Sequence, residues 1–488
     1  MSDLHGAWPI FTPDLGFDVH WRLPVGCGWS GFFTEVALGF IPALRDKGVP
    51  VKLLSGQCDE RFLRDELEPS DADAHRASWV DENSLTRTQT AESLAIEHGE
   101  PCSIRQYNSR SAPGRPWRVV ARAMSEADLS SDKAECLRNG ADEIWVPTQW
   151  HVNRFVAAGL PPNRLRVIPE PVDTNFFSPV HLLRPSSPTV PSRQRSFTFF
   201  SNFKWEMRKG WDLLLLAYWS TFADPKLGRF GAAATVESTA SSSQDDGQPI
   251  PVVGAAADTG QPTQGGVRLV IKTYLPSWEP GPALDDQLQA FARRHFRVDR
   301  AQLPPVELVQ ADVSRRELRA LYARSDAFVL PTRGEGWGLP IAEAMAMGLP
   351  AIATNFSGPS AFLTEQNSHP LPVARELPDG SAEPSVADLS RAMRLCVAER
   401  GTAAGRARAE RARHDMHSKF SRAAVAETVL ERLNELSAKK RRLGRKGAAV
   451  QGGSREELRL LKEEPATERG AGEAQQRGSR LRGRKKEL

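Results

Sequence analysis

Between residues 197 and 354, short apolar runs alternate with segments of helical spacing, and this pattern narrows the fold more than anything else in the chain. The runs at 197–201, 267–274, 306–309, 327–331 and 351–354 read as strands. The stretches between them, at 211–222, 283–296, 315–323 and 339–347, read as helices. Strands alternating with helices of about ten to fifteen residues predict a parallel sheet covered on both faces. A second, weaker alternation precedes it, with strands at 17–25, 49–54, 118–122, 143–147 and 164–169 and a helix at 32–46. The polar stretch 59–90 fits neither pattern. Two such blocks in tandem predict an α/β protein of two Rossmann-like domains facing across a cleft.

The 488 residues suffice for two domains, and 40% apolar with 25% charged residues is an ordinary globular composition. The expected organisation is a first domain over 1–184, a proline-containing linker over 185–196 and a second domain over 197–436. Residues 231–266 hold no Lys or Arg and only four large aliphatics, so they read as a flexible insertion in a surface loop. Residues 420–436 read as a helix returning to the first domain, and 437–488 as a disordered basic tail. Charge is unevenly divided: 439–488 hold 16 Lys and Arg against 7 Asp and Glu, so the body itself is slightly acidic. A nucleic-acid-binding core is not called for. No apolar run approaches the roughly 20 residues that span a bilayer. With no secretory leader evident and five scattered cysteines outside any C-x-x-C spacing, the expectation is reduced thiols and a cytoplasmic protein.

The richest motif runs from Pro331 through Gly334-Glu335-Gly336-Trp337-Gly338-Leu339-Pro340 to Glu343 and Gly348. It follows an apolar strand and opens a helix, the place where open α/β sheets bind ligands. Its glycines permit close backbone approach, and the helix start offers free N–H donors to an anion. Two carboxylates there, Glu335 and Glu343, suit the hydroxyls of a sugar and a ribose. A glycine-rich turn with two solvated glutamates is the bland alternative.

This segment resembles the retaining glycosyltransferases of family four, which have the GT-B fold and an E-x7-E signature, here Glu335 and Glu343. The resemblance extends to Trp145-Val146-Pro147-Thr148, Pro169-Glu170-Pro171-Val172-Asp173, Lys204-Trp205-Glu206-Met207-Arg208-Lys209-Gly210 and Ser325-Asp326-Ala327-Phe328-Val329-Leu330. It implies a metal-independent transfer of a sugar from a nucleotide diphosphate sugar, a co-substrate rather than a cofactor, to an acceptor that the sequence does not identify. Glu335 would meet the donor sugar and Glu343 the ribose, with Gly336, Trp337 and Gly338 alongside. Lys209 and Lys204 would hold the diphosphate, while Arg208 is expected to point elsewhere. A first-domain histidine beside the reacting sugar is assigned to His98, with His151 second. At Ala361 the resemblance would predict a carboxylate that this chain lacks.

Three further features have competing readings. Gly26-x-Gly28-x-x-Gly31 matches a dinucleotide fingerprint, but no acid ends the next strand, so an NAD-dependent oxidoreductase is disfavoured and Gly26 and Gly28 are assigned to the donor phosphate. Asp71-x-Asp73 is a formal metal-binding pair but reads as a solvated loop, and no metal is expected. The basic run 439–446 and the final Lys485-Lys486-Glu487-Leu488 read as a solvated tail suited at most to weak contact with anionic lipid. A non-catalytic scaffold that keeps the fold is the remaining alternative to an enzyme.

Overall fold

A computed structural model describes residues 13–23, 31–54, 58, 60–104, 114–179, 196–223 and 266–452. Most of the expected insertion, the linker, residues 453–488, and Gly26 and Gly28 lie outside these.

The first sheet contains β1 (Val19–Arg22), β2 (Val51–Leu53), β3 (Leu94–His98), β4 (Arg118–Arg122), β5 (Glu143–Val146) and β6 (Leu165–Val167) in the order β2-β1-β3-β4-β5-β6. The second contains β7 (Phe197–Asn202), β8 (Val267–Lys272), β9 (Val306–Val309), β10 (Ala327–Leu330), β11 (Ala351–Thr354) and β12 (His369–Leu371) in the order β12-β11-β10-β7-β8-β9. Every pairing within both sheets is parallel. A small antiparallel pair, β13 (Val373–Glu376) with β14 (Ala382–Pro384), follows. The strands are short and apolar because helices cover both faces. Phe199, Phe200, Leu269, Ile271, Phe328, Val329 and Ile352 are buried together with Leu214, Leu215, Ile341 and Met345 from the flanking helices.

The first helical stretch runs through three segments, Gly31–Glu35, a π-helical turn Val36–Phe40 and Ile41–Asp46. A Cβ on Gly39 would lie 2.7 Å from Pro171 Cγ, so the glycine admits the chain that leaves the first sheet. The polar stretch that the pattern left unassigned forms helices Glu60–Glu66, Pro69–Ser78 and Arg87–Glu92. Asp71 lies in the second of these and is buried, which corrects the expectation of a solvated loop. Its carboxylate accepts from Arg315 at 3.2 Å and Arg422 at 3.1 Å, and Asp173 accepts from Arg315 at 3.0 Å. Asp73 sits outside that network and pairs with Arg76 at 3.0 Å.

The chain returns to the first half near its end. Val172 N–H donates to Phe420 O at 2.7 Å, and Arg432 binds Glu143 of β5 at 2.6 Å. The helix Arg422–Gly452 continues past residue 436, where the sequence pattern ended it. Among the described residues no helix is long and apolar enough to cross a membrane. Cys102 and Cys136 form a disulfide, with Cα atoms 5.2 Å apart, which corrects the expectation that all thiols are reduced; Cys396 is free and buried.

Candidate functional site

Strand β7 delivers the chain to a 3-10 turn, Met207–Lys209, which ends at Gly210 with φ +71°. A Cβ there would lie 2.0 Å from Pro331 O, so only glycine lets the turn sit against the end of β10. The loop beyond β10 is then stitched to the turn. Arg333 N–H donates to Arg208 O at 2.7 Å, and the Thr332 hydroxyl donates to the same carbonyl at 3.1 Å. The Arg333 guanidinium clasps Asp212 at 2.9 and 2.8 Å and Glu383 at 3.0 and 2.8 Å.

This scaffold brings Lys209 Nζ to 2.7 and 2.9 Å from the two oxygens of Glu335. Burial pushes the Glu335 carboxyl up, but Lys209 and Arg208 outweigh it and hold the group below its ordinary value. Burial likewise lowers Lys209, and Glu335 opposes the shift. The Glu335 N–H donates to Ser357 Oγ at 2.9 Å, and Gly358 N–H donates to Glu335 O at 3.0 Å. Ser357 itself has φ +51°, a strained value for a residue with a side chain, which the hydrogen bonds to Glu335 help to hold.

Arg208, expected to point away, is part of the site. Its Nη1 donates to Gly334 O at 2.8 Å and lies 3.7 Å from Glu126 of the first half. A 3-10 turn, unlike a strand, does not send successive side chains to opposite faces. Glu126 follows β4, where its neighbours meet the glycine loop. A Cβ on Gly334 would lie 2.2 Å from Glu126 O, and one on Gly336 would lie 2.2 Å from Met124 Sδ.

Gly338, at φ +97°, starts the helix Leu339–Ala346 with Pro340 in its first turn. Glu343 on that helix is buried and accepts from the Tyr322 hydroxyl at 2.9 Å; burial pushes its carboxyl up to about 7. The Trp337 ring is buried against Phe362 and Phe420, so its backbone alone can meet a ligand in this form. Lys204 stands apart from the Lys209–Glu335 pair, with Nζ 4.9 Å from the centre of the Trp278 ring.

His98 ends β3 and its side chain is fully buried, 3.0 Å from Glu35 through Nε2. Burial pushes His98 down to about 3 and Glu35 up to about 8. Both shifts favour the uncharged forms, and one hydrogen bond joins Nε2 to the Glu35 carboxyl. Arg122 binds Glu170 beside them. His151 plays a different part: Nε2 donates to Ser125 O at 2.9 Å and Nδ1 accepts from Thr148 at 2.8 Å, which props the loop that carries Glu126. Among the described residues no group of three or more His, Cys, Asp or Glu is placed to hold a metal ion.

Residues 281–386, which carry both glutamates, match the family described as Glycosyl transferases group 1. A comparison with curated protein sequences finds no match. Among solved structures, a glycosyltransferase from Rickettsia africae superposes with a TM-score of 0.56 at 14% identity, over 86% of this chain and 98% of that one. Sucrose-phosphate synthase from Thermosynechococcus elongatus gives 0.54 at 14% identity, over 87% and 100%. HepE from Anabaena, in complex with UDP and glucose, gives 0.52 at 14% identity, over 86% and 99%. The architecture is that of the GT-B glycosyltransferases, and residues 281–386 are similar to the group 1 glycosyltransferase family.

Proposed function

We propose that the protein is a retaining glycosyltransferase that moves a sugar from a nucleotide diphosphate sugar to an acceptor without an obligate metal. The observation that carries this reading is the buried Lys209–Glu335 pair, with Arg208 beside it, at the carboxyl-terminal edge of a parallel sheet. A nucleotide diphosphate that departs gains negative charge, so fixed cations at that place stabilise the transition state more than the bound donor. Lys209 and Arg208 supply the cations, and the backbone at Gly336, Trp337 and Gly338 supplies N–H donors. Glu335, kept ionised by those cations, accepts from the hydroxyls of the donor sugar. Glu343, oriented by Tyr322, takes the ribose. His98 exposes no side-chain surface in this form and acts as a positioning residue for the first-domain wall of the cleft. The first half would carry the acceptor and the second the donor. HepE, solved with UDP and glucose, supports a nucleotide sugar as the donor.

The compartment has an observation on each side. Scattered cysteines point to the cytoplasm, whereas the Cys102–Cys136 bond is of a kind that persists in oxidising compartments. Alkylation of acid-quenched cell extracts, followed by mass measurement, decides it: both thiols modified before reduction means cytoplasm.

The test is thermal stabilisation by UDP, GDP and ADP, followed by a transfer assay with the matching sugar nucleotides. A binder at a hundredfold excess over Kd adds about 2.7 kcal/mol of stability. Loss of that shift in a Lys209→Met, Glu335→Gln double variant that still folds is the expected result. Binding without hydrolysis or transfer would instead mean a scaffold.

A further inference from the structure

Lys272 is the last residue of β8 and is only 9% exposed. Among the described residues no carboxylate lies within ion-pair distance of its ammonium. Burial holds Lys272 below the ordinary lysine range, and Asp312, beyond β9, is the one charge that opposes the shift. A lysine whose stem is largely buried and whose ammonium has no paired acid is able to donate to an arriving group. Its neighbour Thr273 has a buried hydroxyl that also lacks a hydrogen-bond partner.

The loop that follows adds a second observation. Tyr274 is 41% exposed and Trp278 63%, large values for aromatic rings of this size. Each faces a lysine: Lys272 Nζ is 6.0 Å from the Tyr274 ring centre, and Lys204 Nζ is 4.9 Å from that of Trp278. The loop is anchored to the chain leaving β7, where Phe203 N–H donates to Lys272 O at 3.1 Å and Trp205 N–H to Tyr274 O at 3.0 Å. These bonds tie the start of the loop to the chain that leads to the Lys209 turn.

Strand order gives the direction. β10, β7 and β8 are consecutive in the sheet. The Glu335 loop follows β10, the Lys209 turn follows β7, and Lys272 ends β8. Neighbouring strands are about 4.8 Å apart. A donor that lays its sugar at Glu335 and its diphosphate at Lys209 therefore carries its nucleoside toward β8.

We propose that Lys272 and the Tyr274–Trp278 loop receive the base of the donor nucleotide, and that Lys272 selects a base with a ring carbonyl, uracil or guanine, over adenine. The inference rests on the glycosyltransferase reading. An ammonium only donates. Guanine O6 and uracil O4 accept, whereas adenine places an amino donor at the corresponding edge. A donor that the bound nucleotide covers rejects an analogue that leaves it unpaired. The aromatic rings supply a flat face for any base, and the lysine supplies the choice.

The experiment is calorimetric titration of the full chain with UDP, GDP, ADP and inorganic pyrophosphate, repeated on Lys272→Met. Methionine keeps the length and packing of the stem. The expected result is that UDP or GDP binds at least about 10-fold more tightly than ADP. In the variant that ratio falls to within about twofold while pyrophosphate affinity is unchanged. ADP binding as tightly as both others in the native protein overturns the proposal. So does an equal loss for all four ligands in Lys272→Met, which would make Lys272 a phosphate contact. A folded native protein that binds none of the four refutes the glycosyltransferase reading itself. If Lys272→Met does not fold, Trp278→Ala serves: loss of nucleoside diphosphate affinity with pyrophosphate retained supports the base site, and unchanged affinity for all four sinks it.

Discussion

At the end of β3 Glu35 lies beside His98, and its carboxyl is pushed up to about 8; beyond β10 Glu335 is equally buried, and its carboxyl is held below the ordinary range. Both are 6% exposed. The difference lies in the neighbours. Glu335 has Lys209 on both oxygens and Arg208 close by, whereas the cation nearest Glu35, Arg122, is already bound to Glu170. Desolvation wins at the first sheet and Coulomb attraction at the second. At the first edge the Glu35–His98 pair thus favours its uncharged forms, while at the second the Lys209–Glu335 pair stays ionised where a charged substrate would arrive.

Removing Glu335 breaks the second half of that comparison. Glu335→Ala is expected to lower kcat/KM by about 100-fold or more. It also strands a buried Lys209, with a stability loss on the order of 3–5 kcal/mol. Lys209→Met combined with Glu335→Gln should regain most of the stability and none of the activity, as read by urea denaturation and a transfer assay. Near-native turnover from a folded Glu335→Ala protein would remove that residue from the chemistry.

Asp71 extends the contrast to a third buried acid, one surrounded by cations like Glu335. Asp71→Ala removes one of the two acids that Arg315 and Arg422 share, leaving Asp173 alone between them, and should cost about 3 kcal/mol. Asp73→Ala, two residues on at the surface, should change stability by no more than about 0.5 kcal/mol. Equal effects in denaturant titrations would mean that the Arg315 network is not where the stability lies.

That network also marks the limit of what sequence spacing carries. Strands β4, β9 and β11 have the bounds that their runs predict, and β11, buried at every position, shows the reason most plainly, since a strand covered on both faces carries no charge. The helix Trp211–Phe222 is legible for the same reason. Helix Pro69–Ser78 is not, since its buried positions include the polar Asp71, His75 and Ser78; Asp71 reaches cations outside the helix and His75 packs against Phe33. Asp71 and Arg315 are 244 positions apart, and no local pattern can pair them. In the candidate site, Glu335, Glu343 and Lys209 were singled out by their motif, but Arg208 was missed because its turn breaks strand alternation. Sequence spacing places Lys272 simply within the strand 267–274, and nothing local in that run sets it apart.

The first edge can be probed by pH. Glu35 has its folded value raised above the unfolded one, so its contribution is complete below about pH 4.5 and is lost as pH rises to about 8. His98 has its folded value lowered, so its contribution is present above about pH 6.5 and is lost as pH falls to about 3. Glu35→Gln should therefore differ from the native protein by at most a few kcal/mol, with the native advantage shrinking between pH 4.5 and 8. A difference independent of pH, measured by denaturation across that range, would mean that Glu35 is already ionised and that the two edges are alike.

The smallest expected effect is none at all. If Lys209 and Arg208 carry the charge that develops on the departing diphosphate, a divalent ion has no necessary place beside them, since the fixed cations already meet the requirement of transition-state stabilisation. Turnover in excess EDTA should match that in its absence, and added Mg²⁺ or Mn²⁺ should leave kcat unchanged. Strict metal dependence would shift the burden from the Lys209–Arg208 pair to an ion held by the donor's own phosphates. The second edge would then supply anchoring alone, and the Lys209→Met, Glu335→Gln variant should keep measurable turnover at saturating metal.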